Sequence, residues 1–548
     1  MRSKIRNRWT PATAAVWCAV AATVAAVLPA ATATAAAPPA AGATITATAS
    51  DGHDPGRGLG PEIAAIMRKP GYEHARWGLT ETDAETGRVI HDRGSDKFFI
   101  PGSAEKLFSV SGAWHTLGGD HRFTTPVQAL GSRQGGVLTG NLALVAQGDL
   151  TMGGRTKPDG TVDFTPVDHT YANSLPGATL TPEDPLAGLD SIARQVRRSG
   201  ITEVRGDVII DDRLFTPPAL DPQPYPLIIN DNLIDLLTTP TRPGRPAELS
   251  WRPQVAPYQV TSTVRTVAPG GTTDIEVATS DDGTRITLSG TIAADAEPEL
   301  RVSDIEDPAA FGRTALIEAL ARAGVAVTAS PTGPNPEGEL PPSPIGGRRV
   351  AAYVSPPYAE YAKLILKVSH NLGANLTLCN MATATGSSDC LDGFPVLRSF
   401  LDGADVDTSQ IQLADGRGGD PVDRATPHAL EQILHYWYTT PEADRFRTSL
   451  PILGVDGSLA DSCTDCPARG KVFAKPGTVV GGDLLNDRLA VGGQTLAGYL
   501  EAADGRLHTF FVGVNGASAT DIQDVLRIYN DVAMIAALLQ QRAADGRS

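Results

Sequence analysis

Ser103-Ala-Glu-Lys106 sets a hydroxyl and an amine three positions apart, the spacing that brings two side chains onto one helix face. Hydrolysis through an acyl-enzyme needs an activated hydroxyl, a proton shuttle and a trap for oxyanion charge. A serine beside a lysine supplies the first two. Taken alone the pair says little, because nine lysines in 548 residues give chance matches. Its company in chain order says more. Ser369-His-Asn371 follows, and then Lys475-Pro-Gly477 with Thr478 directly after it. S-x-x-K, S-x-N and K-x-G in that order form a set used for acyl transfer to serine. Lys69-Pro-Gly71 is a second K-x-G, but it precedes Ser103 and fits the order badly. H-E-x-x-H, P-loop, G-x-S-x-G and dinucleotide signatures are all missing. The ten histidines are scattered, so neither a metal site nor a cofactor is expected.

The elements that would position these residues can be read coarsely. Pro101-Gly-Ser103 precedes a helical stretch from Ala104 to Leu117, with Ser103 as its natural N-cap. Ser369-His-Asn371 lies at the junction of two helical runs, Ala359–Lys367 and Leu372–Met381. Lys475 follows an apolar strand, Lys471–Ala474. Further strands are expected at Leu496–Ala502 and His508–Asn515, with a closing helix from Asp521 to Leu539. Near the start, Pro61–Lys69 has helical spacing, and Ala75–Asp83 with Arg88–Asp92 reads as a hairpin. From about 122 to 330 the pattern is β-rich. Strands are expected at Leu142–Ala146, Val208–Ile210, Val260–Val267 and in the Ile275–Gly290 hairpin, with helices at Leu186–Val196 and Ala309–Ala323. Six prolines between Ser330 and Pro344 mark its exit.

Length implies two to four domains. The net charge is −16, and the first 37 residues carry four positive charges and no acid, so their loss leaves −20. Such a surface repels phosphate backbones, and no nucleic-acid partner is expected. The same residues, 1–37, run from basic (Arg2, Lys4, Arg6, Arg8) through apolar to small. That order reads as a secretory signal peptide, an uncleaved anchor being the alternative. The mature chain has no transmembrane segment and is expected in the cell envelope or secreted. Cys18 would leave with the leader, and Cys379, Cys390, Cys463 and Cys466 would remain. Four cysteines allow three connectivities; proximity favours Cys379–Cys390 and Cys463–Cys466 without proving either.

The chain resembles the class C low-molecular-mass penicillin-binding proteins, the exported D-alanyl-D-alanine carboxypeptidase/endopeptidases. Beyond the three motifs, the likeness includes Phe99-Ile-Pro-Gly-Ser103, Gly148-Asp-Leu-Thr151, Gly206-Asp-Val-Ile-Ile-Asp-Asp212 and Leu450-Pro-Ile-Leu-Gly-Val-Asp-Gly457. Ser369 lies 266 positions after Ser103, a gap that in this family holds an extra pair of domains. The resemblance implies an α/β (α+β) penicilloyl-serine transferase, β-lactamase-like domain in two parts, 38–130 and 346–548, around β-rich inserted domains at 131–345. Two departures are visible: Pro476 stands where the family has Thr or Ser, and Asp415-Gly-Arg-Gly-Gly-Asp420 where it often reads Asp-Gly-Ser-Gly-Leu-Ser.

By this resemblance Ser103 is the nucleophile on the penultimate D-Ala carbonyl, and Lys106 its base, kept neutral by burial and by the cation Lys475. Ser369 relays the proton to the leaving amine and Asn371 orients Lys106. Gly477 and Thr478 belong to the substrate edge, with the N–H groups of Ser103 and Thr478 as oxyanion donors. His370 is given no catalytic role. The partners implied are peptidoglycan stem peptides ending in D-Ala-D-Ala, and β-lactams as covalent inhibitors. Part of the insert, Asp211–Tyr225, would wall the cleft. A catalytically weak wall-binding homologue is the competing reading; a β-lactamase or esterase is disfavoured by the large insert.

Overall fold

A computed structural model describes residues 58–342, 347–502 and 504–544. The leader expected at 1–37, with Cys18, lies outside the described residues. The site-bearing body is built on a five-stranded antiparallel sheet. Its order is Val472–Asp483, Arg488–Glu501, Leu507–Ala519, Arg76–Asp83 and Val89–Arg93. The N-terminal hairpin thus pairs with a strand more than 400 residues away, with Arg76 opposite Asn515.

Both faces of this sheet are covered. Residues 493–500 are buried without interruption, which an antiparallel strand shows only when layers pack on either side. On one side lie Pro61–Met67 and the long helix Ile522–Ala544, whose Ile528, Val532 and Ile535 meet Leu79, Leu496 and Val512 in one core. On the other lie Lys106–Leu117, Tyr358–Lys367, Asn371–Ala384 and Pro427–Tyr438, packed through Phe108, Trp114, Leu376 and Trp437. Asn371–Ala384 is buried on nearly every side, in keeping with its small and apolar residues.

Between the second and third strands of the hairpin-and-return path lies a β-rich block. Its largest sheet has six strands and is framed by Thr124–Gln134 and Arg348–Val354, which pair antiparallel. Helices Ala187–Arg198 and Pro308–Arg322 cover it through Leu189, Ile192, Phe311 and Leu316. Two smaller sheets follow, one of Leu233–Thr239, Glu248–Arg252 and Glu299–Asp304, the other centred on Arg285–Ala293. The strand expected over Val260–Val267 is interrupted at 263–264 and forms two pieces, Gln259–Ser262 and Arg265–Val267, on the same neighbour. The sulfur atoms of Cys379 and Cys390 adjoin, as do those of Cys463 and Cys466.

Candidate active site

Ser103 is not an N-cap. It lies inside a 3-10 turn, Gly102–Glu105, ahead of the α-helix Lys106–Leu117, and neither segment has a side-chain cap. The turn is pinned from outside. Gly102 has φ 51°, and a Cβ there would stand 2.6 Å from the Thr478 nitrogen. A Cβ on Gly477 would come within 2.0 Å of the Pro101 carbonyl oxygen, so only glycine permits this approach of strand to turn.

Lys475 is not at a strand end either, because its strand runs on to Asp483 at the edge of the sheet. The N–H of Ala474 points outward, to the Pro451 oxygen at 2.9 Å. With the two-residue period of a strand, the nitrogens of Pro476 and Thr478 face the same way. Pro476 therefore removes no ladder bond to Arg488–Glu501. The Thr478 N–H is directed to the side on which Gly102 and Ser103 sit.

Ser369 takes φ 62°, the left-handed region, at the corner between Tyr358–Lys367 and Asn371–Ala384. For a serine this costs about 1–3 kcal/mol and persists only when the surroundings impose it. His370 caps the second helix, its Nδ1 accepting the Gly373 N–H at 2.9 Å.

These elements bring the motif residues together. Lys106 Nζ lies 2.8 Å from Ser103 Oγ, 2.8 Å from Asn371 Oδ1 and 2.9 Å from the Arg417 carbonyl oxygen. Ser369 Oγ is 3.5 Å from Lys106 Nζ and 2.9 Å from Lys475 Nζ, which also donates to the Pro476 oxygen at 2.8 Å. Both lysines are wholly buried, whereas Ser103, Ser369 and Asn371 are half-buried and Thr478 is exposed.

Burial lowers Lys106 to about 7, helped by the Arg417 cation and opposed by Asp415 and Glu105. The sequence expectation had made Lys475 the depressing cation. Instead Lys475 is itself pushed well down, first by burial and then by Lys106. A neutral Lys106 amine has two hydrogens and one lone pair. Asn371 Oδ1 and the Arg417 carbonyl can only accept, so they take the hydrogens. The lone pair then faces the one neighbour of the three with a proton to give, the Ser103 hydroxyl.

Arg417 was singled out in the sequence only as a departure, and the structure places it in the site. Its guanidinium lies 3.2 Å from Asp415 and 3.5 Å from Asp221 of the inserted block. Asp415 also accepts the N–H groups of Arg417 and Gly418. Pro222, next to Asp221, accepts from Asn375 at 3.0 Å, so the stretch Asp211–Tyr225 does reach the neighbourhood of the site.

Two clusters of metal-ligating residue types are also assembled, although scattered histidines had suggested none. Glu105, Asp415 and Asp423 are buried together, as are Asp168, Asp231 and His370. In the first, burial and then Asp423 and Asp415 raise Glu105 well above the usual carboxyl range, and burial with Asp415 raises Asp423 to about 7. In the second, Arg155 and His169 already hold Asp231, and Arg155 holds Asp168. No sequence motif announced Asp231 or Asp423.

A helical layer that delivers Ser-x-x-Lys beneath an antiparallel sheet whose edge strand carries Lys-x-Gly defines a penicilloyl-serine transferase fold. The model of the D-Ala-D-Ala carboxypeptidase 3 (S13) family matches residues 59–537, and the chain belongs to that peptidase family. It is 26% identical over 499 residues to a D-alanyl-D-alanine carboxypeptidase of Actinomadura sp. (strain R39), spanning 86% of this chain and 84% of that one. It is also 26% identical to carboxypeptidase DacB of Mycolicibacterium smegmatis, over 85% and 81% of the two chains. Penicillin binding protein 4 (dacB) from Haemophilus influenzae has the same fold, with a TM-score of 0.63 at 20% identity, covering 87% of this chain and all of that one.

Proposed function

We propose that the protein is an exported serine D-Ala-D-Ala carboxypeptidase of the bacterial cell wall, with endopeptidase capacity, that is acylated by penicillin. One observation carries this reading: the Lys106 lone pair is left facing Ser103 Oγ because the other two oxygens at 2.8–2.9 Å are pure acceptors. Ser103 attacks the carbonyl of the penultimate D-Ala, passing its proton to Lys106. The oxyanion is received by the N–H groups of Ser103 and Thr478. Ser369, between the two lysines, returns a proton to the departing D-Ala amine, and water then releases the acyl group by the reverse route. The C-terminal carboxylate of the substrate lies toward Lys475, whose protonation it favours. The matches to carboxypeptidases along most of the chain support the substrate class. A related penicillin binding protein 4 is known in complex with a β-lactam, which supports penicillin as a ligand.

The same reading divides the chain into a leader at 1–37, a transferase body at 38–130 and 346–548, and inserted domains at 131–345. Thr124–Gln134 and Arg348–Val354 pair with each other inside the block's own six-stranded sheet, which supports an insertion at this point of the chain and moves its limits outward to about 124 and 354. The paired cysteines support export to an oxidising compartment.

Mass spectrometry after incubation with benzylpenicillin tests the proposal, together with assay of free D-Ala from a D-Ala-D-Ala peptide. An adduct on Ser103 and D-Ala release are expected, and Ser103→Ala should lose both while remaining folded. Because Ser103 caps no helix, the substitution should change stability by only about 0.5–1 kcal/mol. D-Ala release by the purified variant would remove Ser103 from the mechanism.

A further inference from the structure

The Ser369 corner is held from the inserted block at two points. Tyr171, in the short helix His169–Tyr171, donates its hydroxyl to the Ser369 carbonyl oxygen. His370 accepts the Gly373 N–H on Nδ1, so its Nε2 carries the proton and donates to Asp231 Oδ1 at 3.1 Å. Ser369 is thereby bracketed, its own carbonyl fixed on one side and the next side chain on the other.

Asp231 is itself anchored. Asn230, Asp231 and Asn232 are three consecutive residues with φ between 52° and 57°. The other carboxylate oxygen of Asp231 accepts from Arg155 and His169, each at 2.6 Å. His169 also reaches Asp235 at 2.5 Å, and Arg155 reaches Asp168 at 2.5 Å. Arg252 adds a contact to Asp235 at 3.1 Å. Both ring nitrogens of His169 face carboxylates, so the ring is an imidazolium: burial opposes the charge, but Asp235 and Asp168 outweigh it and lift the group to about 10. Three cations (Arg155, His169, Arg252) thus oppose three carboxylates (Asp168, Asp231, Asp235). Burial raises the Tyr171 phenol to about 12, which keeps it a donor. Such a network is rigid when every member is satisfied, and none of it touches Ser103, Lys106 or Lys475.

We propose that Tyr171 and the His370–Asp231 pair are positioning residues, by which the inserted block holds Ser369 in its left-handed conformation with its hydroxyl between Lys106 and Lys475. The inference rests on Ser369 being the proton relay of the proposed peptidase. Released from the two holds, Ser369 relaxes toward ordinary backbone angles and its hydroxyl leaves the lysines. Substrate binding is little affected, because neither hold faces the Thr478 edge.

The test compares full-length wild type, Tyr171→Phe and His370→Asn; asparagine keeps a helix cap but is too short to reach Asp231. D-Ala release from a D-Ala-D-Ala peptide and the rate of acylation by benzylpenicillin are both measured. Each substitution should lower kcat at least fivefold with KM within twofold and the melting temperature within a few degrees. Added to Ser369→Ala, Tyr171→Phe should change the residual acylation rate less than twofold, since the hold acts through the Ser369 hydroxyl. Wild-type kcat in both single variants, or an undiminished loss in the Ser369→Ala background, overturns the proposal. A wild type that is acylated yet releases no D-Ala sinks the peptidase reading alone, and the fivefold criterion then applies to acylation. Absence of both reactions in wild type overturns the two together.

Discussion

The Arg417 carbonyl accepts a hydrogen bond from Lys106 at 2.9 Å, and the guanidinium of the same residue is a cation that lowers that lysine. One side chain position, far from Ser103 in sequence, both orients the amine and tunes its proton affinity. The proposed mechanism uses Lys106 as base, and a base must be unprotonated to act, so with Lys106 lowered to about 7 that mechanism needs pH above this value.

The pH profile of kcat/KM should therefore rise through about 7 and level off above it. Arg417→Gln removes the cation but keeps the backbone carbonyl. Asp415 then acts on Lys106 without that opposition, so its pKa rises and the inflection moves to higher pH. An inflection that stays in place or moves down would show that burial alone sets this lysine.

Glu105→Gln is expected to stabilise the protein at neutral pH. Among the described residues no N–H donates to either Glu105 oxygen, and its neighbours are Asp423 and Asp415. Its folded-state pKa is raised above the unfolded value, so as pH rises past about 4.5 the unfolded state releases a proton that the folded state retains. Stability is lost over that window. Glutamine carries no such penalty and can donate to Asp423, a gain of about 1–3 kcal/mol. Thermal melts at pH 7.5 and pH 4.5 check it: the advantage should be present at the first and fade at the second. An equal shift at both values would mean that packing, not ionisation, is responsible.

Pro476→Thr should raise kcat/KM for a D-Ala-D-Ala peptide by about tenfold or more. Pro476 is tolerated because its nitrogen faces outward on the edge strand, as the outward bond of Ala474 shows. The variant adds a hydroxyl beside Lys475 without disturbing the ladder. A hydrogen bond to a carboxylate is worth about 1.5–3 kcal/mol, or roughly 10- to 150-fold. Steady-state kinetics that show no gain would assign the carboxylate contact to another group, with Thr478 the nearest hydroxyl in sequence.

No free thiol should be found in the processed protein by titration under denaturing, non-reducing conditions. Cys379 and Cys390 are 11 positions apart, Cys463 and Cys466 three. Two reactive thiols per chain would contradict the pairing.

Motif order made Ser103, Lys106, Ser369, Asn371 and Lys475 legible, because each motif is local and carries its own residue types. The helices at Tyr358–Lys367 and Asn371–Ala384 and the hairpin at Arg76–Arg93 were legible through periodicity. The 3-10 turn at Ser103 was not, since its cause is the approach of Gly477 and Thr478 from over 370 positions away. Local propensity alone favoured a capped helix there. Asp423 was hidden for a different reason: it acts through burial, and a loop sequence does not disclose which of its charges will be covered. His370 looked like a spacer because its partner, Asp231, belongs to the inserted block.

The pairing of Arg76–Asp83 with Leu507–Ala519 also sets an order of events during synthesis. At about 5–20 residues per second the first strand waits on the order of a minute for its neighbour to be made. Thr124–Gln134 and Val137–Val145, by contrast, meet across a tight turn as soon as they emerge. The inserted block can thus mature while the sheet beneath Ser103 is still open on the side that Leu507–Ala519 will close. Ser103 emerges early, but the strand Val472–Asp483, which brings Gly477 and Thr478 against its turn, follows more than 360 positions later, so a chain that stops before Val472 lacks that wall of the site.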